Sequence, residues 1–275
     1  VTDPRRWPAN PRVAAARLAG VPEGVERVEG EARMVLRPLA NLCRTPAGAL
    51  DRQILFGAPV TVYEDRGGWS FIETVDDPYV GYVETAALGS LRAATHRVSA
   101  ASTRLYSNPD PRAFAGPALT LNARVTVDAT FGRFAETEDG FIPLSHLRAI
   151  GTPEPDPVAV AERLLGTPYL WGGNSRAGID CSGLVQAACR ACAIPCPGDS
   201  DMQAAELGEA LPDGTPRRRG DLLFWKGHVA FVSDPDTLLH ANGYHMAVAY
   251  EPAEDAIARI AAAGHPVTVH RRLSS

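Results

Sequence analysis

Short runs of alternating apolar and polar residues dominate the first half of the chain, and helical spacings are concentrated in the second. Val60-Thr61-Val62-Tyr63, Trp69-Ser70-Phe71-Ile72-Glu73-Thr74 and Tyr79-Val80-Gly81-Tyr82-Val83 are rich in β-branched and aromatic residues, which predicts strands. Arg66-Gly67-Gly68 supplies a turn between two of them. A shorter second copy follows. Val125-Thr126-Val127, Phe134-Ala135-Glu136-Thr137 and Gly140-Phe141-Ile142-Pro143-Leu144 repeat the order and approximate spacing of the first set. The segment 11–20 predicts a short helix stopped by Gly20.

Gly151-Thr152-Pro153-Glu154-Pro155-Asp156-Pro157 predicts an extended linker, because alternate prolines disfavour helix. Beyond it, residues 158–165 predict a short helix ending at Gly166. Asp180 is a good N-cap for a helix running to about Ile194 before Pro195. Strand patterns follow at Asp221–Trp225, from His228 and around Leu238–Asn242. The chain therefore divides into an N-terminal extension with a short helix (1–32), two small β units (33–95 and 96–150) and an α+β domain (151–275).

The chain has 275 residues, 45% of them apolar and 21% charged, enough for normal buried cores. Lys and Arg number 27 against 32 Asp and Glu, a net charge of −5, which disfavours general nucleic-acid binding. No apolar run is long enough for a membrane span. The first residues lack the apolar run of an export signal, so a cytoplasmic location is expected, or a periplasmic or secreted one if the N-terminus, which begins at Val1, has been trimmed. Of five cysteines, Cys181, Cys189, Cys192 and Cys196 crowd into one segment. An odd, clustered set predicts free thiols in a reducing compartment.

Cys181 follows the Asp180 cap and so opens a helix. Unpaired N–H groups there favour thiolate, lower the thiol pKa and can hold an oxyanion. A base is needed. His228 and His240 flank the turn Ser233-Asp234-Pro235-Asp236, which predicts a hairpin placing them nearly opposite, any offset being absorbed by a bulge. His228 would act as base and His240 would orient it. Competing readings are a buried small Cys181 and core histidines with satisfied N–H groups. Cys189, Cys192 and Cys196 include a Cys-x2-Cys spacing. Cys189 and Cys192 nonetheless fall on one apolar helix face, and no second ligand pair follows, so neither metal nor organic cofactor is expected. Trp171 lies in a Gly-rich loop, where packing in a core competes with contact to a ligand. Arg217-Arg218-Arg219 predicts a solvated loop, with contact to an anionic substrate as the alternative. His96, His146, His245, His265 and His270 show no partner pattern and are expected on the surface or in loops.

The motifs Pro168-Tyr169-Leu170-Trp171-Gly172-Gly173, Asp180-Cys181-Ser182-Gly183-Leu184-Val185, Gly220-Asp221-Leu222-Leu223-Phe224, His228-Val229-Ala230-Phe231-Val232 and Leu239-His240-Ala241 together resemble the NlpC/P60 cysteine peptidases. The paired β units resemble bacterial SH3-like (SH3b) barrels. The resemblance implies a papain-like catalytic domain behind two SH3-like β-barrels, and a γ-D-glutamyl-L-diamino acid endopeptidase. Its substrate would be a peptidoglycan-derived peptide, L-Ala-γ-D-Glu-diamino acid, where the diamino acid is diaminopimelate or Lys. It implies Cys181, His228 and His240 as the triad and Tyr169 as a shaper of the oxyanion side. Asp180, Ser182, Ser200 and Trp171 would contact substrate, Asp180 and Ser182 through a free amine. Many members carry Arg just before the Asp199-Ser200 position, where Gly198 stands here. From the barrels, Glu84 and Tyr106 are the matching substrate contacts. Two other functions compete: a thiol amidase or acyltransferase of the same broad fold, and a non-catalytic wall-binding protein.

Overall fold

Glycine- and proline-punctuated strand runs in the first half build two β units in succession. The computed structural model describes residues 3–273, which divide into one compact unit ending at Ile150 and another beginning at Gly151.

The N-terminal segment departs from the sequence reading. Residues 11–20 form no helix. Pro4–Arg6 is a single 3-10 turn, and β1 (Val13–Ala15) runs parallel to β2 (Glu26–Val28). Pro8 and Pro11 lack backbone donors. The Asn10 side-chain oxygen accepts from the N–H groups of Arg12 and Val13, which holds the chain extended. An alanine run this short cannot nucleate a helix alone. Val13 and Ala15 instead bury against Tyr63, Phe71 and Val80, so the segment belongs to the first β unit rather than extending from it.

The first unit comprises β3 (Glu31–Val35), β4 (Leu39–Cys43), β5 (Leu50–Leu55), β6 (Pro59–Arg66), β7 (Trp69–Thr74), β8 (Val80–Glu84) and β9 (Leu88–Ser90), ordered β5-β4-β8-β7-β6-β3-β9. The second comprises β10 (His96–Val98), β11 (Ser102–Tyr106), β12 (Ala115–Thr120), β13 (Arg124–Val125), β14 (Ala129–Phe131), β15 (Phe134–Thr137), β16 (Gly140–Pro143) and β17 (Leu147–Ala149). Its sheets run β12-β11-β16-β15-β14 and β13-β10-β17. This is the first order strand for strand, with the long β6 broken into β13 and β14. Each unit also places a 3-10 turn before its last strand, Thr85–Ala87 and Leu144–His146.

Phe56 of the first unit enters the core of the second, beside Val98, Leu105, Leu119, Val125 and Ile142. Its carbonyl accepts from the Arg124 N–H at 2.9 Å. Gly57 follows with φ +73°, and a Cβ there would lie 2.2 Å from the Arg124 carbonyl oxygen, so only glycine fits this junction.

In the compact unit that begins at Gly151, α1 (Pro157–Glu162) starts at an Asp156 cap, and a two-stranded ribbon joins β18 (Asn174–Ser175) to β19 (Gly178–Ile179). α2 (Cys181–Ala191) and α3 (Ser200–Glu206) precede β20 (Glu209–Ala210), β21 (Asp221–Trp225), β22 (His228–Asp234), β23 (Thr237–Asn242), β24 (Ala247–Pro252), α4 (Ala253–Ala262) and β25 (Val269–Arg272). The sheet order is β20-β25-β21-β22-β23-β24, antiparallel throughout. Alternation along β21–β23 sends Leu223, Trp225, Ala230, Val232 and Leu238 toward Ala253 and Ala256 of α4. The alternate residues Leu222, Phe224 and Phe231 are fully buried, and α2 packs on β22 and β23.

Candidate active site

Asp180 builds the start of α2. Its Oδ1 accepts from the Gly183 N–H at 2.7 Å and from Ser182 Oγ at 3.1 Å, while Oδ2 accepts from the Gly172 N–H at 2.8 Å. One carboxylate thus caps the helix and ties the Gly-rich loop to it. Gly183 permits the approach: a Cβ there would meet Asn174 Oδ1 at 2.5 Å and the Gly173 carbonyl at 2.6 Å. With the Gly183 and Leu184 N–H groups taken by Asp180, the N–H groups of Cys181 and Ser182 at the helix start, and that of Val229, act to lower the Cys181 thiol. The nucleophile candidate is therefore set beside the residue that follows His228.

The thiol is not electrostatically lowered as the helix start alone predicts. Cys181 is buried, and burial, with Asp180 nearby, pushes it up to about 12 despite the three N–H groups. Removing a thiolate from water outweighs what a helix terminus returns. The same burial, with Cys181 and Asp180 adjacent, holds the Tyr169 hydroxyl up at about 12.

The two histidines come together, though not as direct opposites. Phe231 faces Leu239 and Val232 faces Leu238, so residue 240 lies opposite residue 230 and only diagonally from 228. The register shifts between Val232 and Asp234. A diagonal pair on one face is within reach of side chains this long, and His228 Nε2 lies 2.9 Å from His240 Nδ1. The His228 ring packs against Trp225, its cross-strand neighbour, at 5.5 Å between centroids. Burial and then the neighbouring His240 push His228 down to about 3, and burial pushes His240 down to about 4. Both rings are neutral at physiological pH.

Sequence reasoning missed two residues behind this pair. Glu251 Oε2 lies 3.0 Å from His240 Nε2. Arg259, on α4, donates from Nε to Oε1 at 2.9 Å and from Nη2 to Oε2 at 2.7 Å of the same carboxylate. A signal existed: counting β24 back from the Asn242-Gly243 turn pairs Glu251 with Leu238, on the face that carries His240. His245, His240 and Glu251 also bring donor atoms within 4.8 Å of one another, a geometry open to a cation. Both Glu251 oxygens are engaged by Arg259, so the carboxylate serves the arginine and the histidine.

The remaining candidates sort by surroundings. Tyr169 and Trp171 share the loop ahead of α2. Trp171 is 70% exposed, which excludes the core alternative. Ser182 is buried beside Asp180. Ser200 begins α3, and Gln203 on that helix donates to the Ser182 carbonyl at 3.0 Å and the Pro197 carbonyl at 2.9 Å, tying the Ser200 segment to the first turn of α2. Glu84 lies in the first β unit and Tyr106 in the second. Glu84 ends β8 half-exposed and ion-paired with Arg37, and Tyr106 sits edge-on to Phe134 at 5.8 Å. Arg217 pairs with Glu254, and Arg219 with Asp156 and Glu162, so two residues of the arginine run serve their own domain. His270 is no loop residue: it lies on β25, 2.8 Å from Asp221.

Residues 166–260 match the NlpC/P60 family, and residues 42–88 match the bacterial dipeptidyl-peptidase SH3 domain. The match to the SH3 model covers the first β unit and not the second. The chain is 29% identical over 237 residues to the gamma-D-glutamyl-L-lysine dipeptidyl-peptidase of Bacillus subtilis, covering 76% of this chain and 77% of that one. It is 27% identical over 235 residues to the protein of the same name from Bacillus cereus, covering 73% and 70%. Among solved structures, an NlpC/P60 family protein from Bacillus cereus superposes with a TM-score of 0.73 at 20% identity, over 88% of this chain and 99% of that one. That likeness establishes the fold.

Proposed function

Residues 166–260 being an NlpC/P60 domain and residues 42–88 a bacterial SH3 domain, we propose that this chain is a cysteine peptidase that cuts the γ-D-glutamyl–diamino acid bond of peptidoglycan stem peptides bearing a free N-terminal L-Ala. One observation carries the chemistry: Cys181 opens α2, that helix packs on β22, and β22 begins at a histidine whose ring is already hydrogen-bonded to a second. The relatives that share most of its length, named for a γ-D-glutamyl-L-lysine bond, support the substrate class.

His228 Nε2 is committed to His240, so Nδ1 takes the thiol proton. Cys181 attacks the γ-D-glutamyl carbonyl, and the N–H groups at the start of α2, with Tyr169, receive the developing oxyanion. His228 returns the proton to the leaving amine. Water, deprotonated by His228, then attacks the thioester and releases L-Ala-γ-D-Glu. Asp180, Ser182, Ser200 and Trp171 line the substrate side of Cys181, where an acidic group favours an N-terminal ammonium in a partly desolvated cleft. Glu84 and Tyr106 are the contacts proposed from the barrels. The second β unit is proposed as a diverged copy of the first, on its strand order. All five cysteines are free thiols, which supports a reducing, cytoplasmic setting and a role in recycling released peptides. Among the described residues no helix is long and apolar enough to cross a membrane.

The test is a mass-spectrometric digest of L-Ala-γ-D-Glu-diaminopimelate and its L-Lys counterpart, each with and without N-acetylation. The free-amine tripeptides should yield L-Ala-γ-D-Glu, and Cys181→Ala should yield none. Equal cleavage of the acetylated forms would remove the amine requirement. No cleavage of any would overturn the assigned bond and move an amidase or acyltransferase ahead.

A further inference from the structure

We propose that Glu251 and Arg259 are a positioning pair that holds His240 and His228 in the one tautomer leaving His228 Nδ1 unprotonated and able to take a proton. The inference rests on the cysteine-peptidase reading above and concerns residues that lie outside every motif identified in the sequence.

A chain of hydrogen bonds fixes where each proton sits. An ionised carboxylate only accepts. Burial works against the charge on Glu251, but the two bonds from Arg259 and the contact with His240 outweigh it and hold the carboxyl below its ordinary range. Glu251 is therefore ionised at neutral pH, and the proton in the 3.0 Å contact must sit on His240 Nε2. His240 is fully buried and neutral, so its Nδ1 carries none. That bare nitrogen accepts from His228 Nε2 at 2.9 Å, which places the His228 proton on Nε2 and leaves Nδ1 as a lone pair. The opposite arrangement would set the His240 Nε2 lone pair against a carboxylate and put a proton on His228 Nδ1, abolishing the base.

Arg259 has a second effect. Glu251 alone would draw His240 toward the imidazolium, which cannot accept from His228. The guanidinium offsets that charge at the same carboxylate. The charged and titratable groups facing His240 are His228 from β22, Glu251 from β24, Arg259 from α4 and His245 from the β23–β24 turn. The ring of Tyr244, in that turn, lies over the Arg259 guanidinium at 4.4 Å and closes the outer end of the chain.

Two measurements on the full chain test this. Long-range proton–nitrogen correlation spectra of histidine-labelled protein at neutral pH should show both rings protonated at Nε2. A proton on Nδ1 of either ring overturns the proposal, and this readout needs no substrate. Kinetics on the free-amine tripeptide supply the second. Replacing the pair together (Glu251→Leu with Arg259→Met) avoids leaving either charge buried alone. It should lower kcat by roughly 100-fold with KM little changed. Arg259→Met alone should move the acid limb of kcat/KM to higher pH, because an uncompensated Glu251 favours the imidazolium. Arg259→Lys, which keeps the charge, should restore most of the profile. Parental kcat and pH profile in the double replacement would overturn the positioning role. Wild-type protein that fails to cut the tripeptide would sink the peptidase reading, while the spectra would still decide the tautomer.

Discussion

Cys181 shows two effects of opposite sign on one atom. The start of α2 offers N–H groups, worth roughly 0.3–2 kcal/mol to an anion. Burial of the sulfur opposes them and prevails, leaving the thiol high at about 12. His228 is low, so the resting pair is thiol and imidazole, and the proton moves only as the bond forms. Thiolate ultraviolet absorbance in the parent minus that in Cys181→Ala should stay flat through neutrality and rise only above the ordinary thiol value of about 8.5. A rise below neutrality would mean a standing thiolate–imidazolium pair and contradict this. The histidine shift carries its own sign. A base with a lowered pKa keeps its lone pair to lower pH and loses it as pH falls through the folded value. The acid limb of kcat/KM should therefore lie below the free-imidazole value of about 6.5.

Among the elements, α2 and the β22–β23 hairpin fix the site. The helix can come down on the Gly-rich loop because residue 183 has no side chain. Gly183→Ala would force Asn174 or the Gly173 backbone to shift, and overpacking of this kind costs roughly 1–3 kcal/mol. Urea unfolding should show that loss in the midpoint with an unchanged slope. An unchanged midpoint would mean the loop gives way freely. The hairpin places its histidines by a register shift near Ser233: continuing the Asp234–Thr237 pairing would set residue 240 opposite 231, on the other face from His228, and the shift sets it opposite 230, on the same face. The outer strand β24 then supplies Glu251 to the same face, and α4, which follows directly, supplies Arg259.

At the scale of the molecule, the boundary between units is sharper than the proline-rich stretch suggests. Glu154 lies within the expected linker, yet it is buried, donates its N–H to the Ala191 carbonyl at 2.9 Å and receives both Nη groups of Arg163 at 2.9–3.0 Å. The linker's second half is therefore part of the catalytic unit. Glu154→Ala should lower the stability of that unit by roughly 1–3 kcal/mol, read by urea unfolding, because a buried acceptor for Arg163 is lost. No change would mean the residue is only a tether. In the other compact unit, Phe56 and Gly57 join the first β unit to the core of the second, so the repeat is a joined pair rather than beads on a string.

The local chemistry of the chain was sufficient for much of this. The Asp180 cap set Cys181 at a helix start, and the turn at Ser233–Asp236 folded His228 toward His240. The echoing strand runs announced a duplicated β architecture. Each rests on interactions within a few residues or on a repeated pattern, which sequence carries directly. Other features depended on distant groups meeting. Val13–Ala15 became strand because the core around Tyr63 and Phe71 buried Val13 and Ala15, overriding a weak helical preference. The thiol rose because surrounding elements excluded water, which no helix-end argument can register. Glu251 and Arg259 joined the histidines only when strand pairing and the packing of α4 closed one face of the sheet. Burial and cross-strand register are properties of the assembled fold, and they decided which proton the site can move.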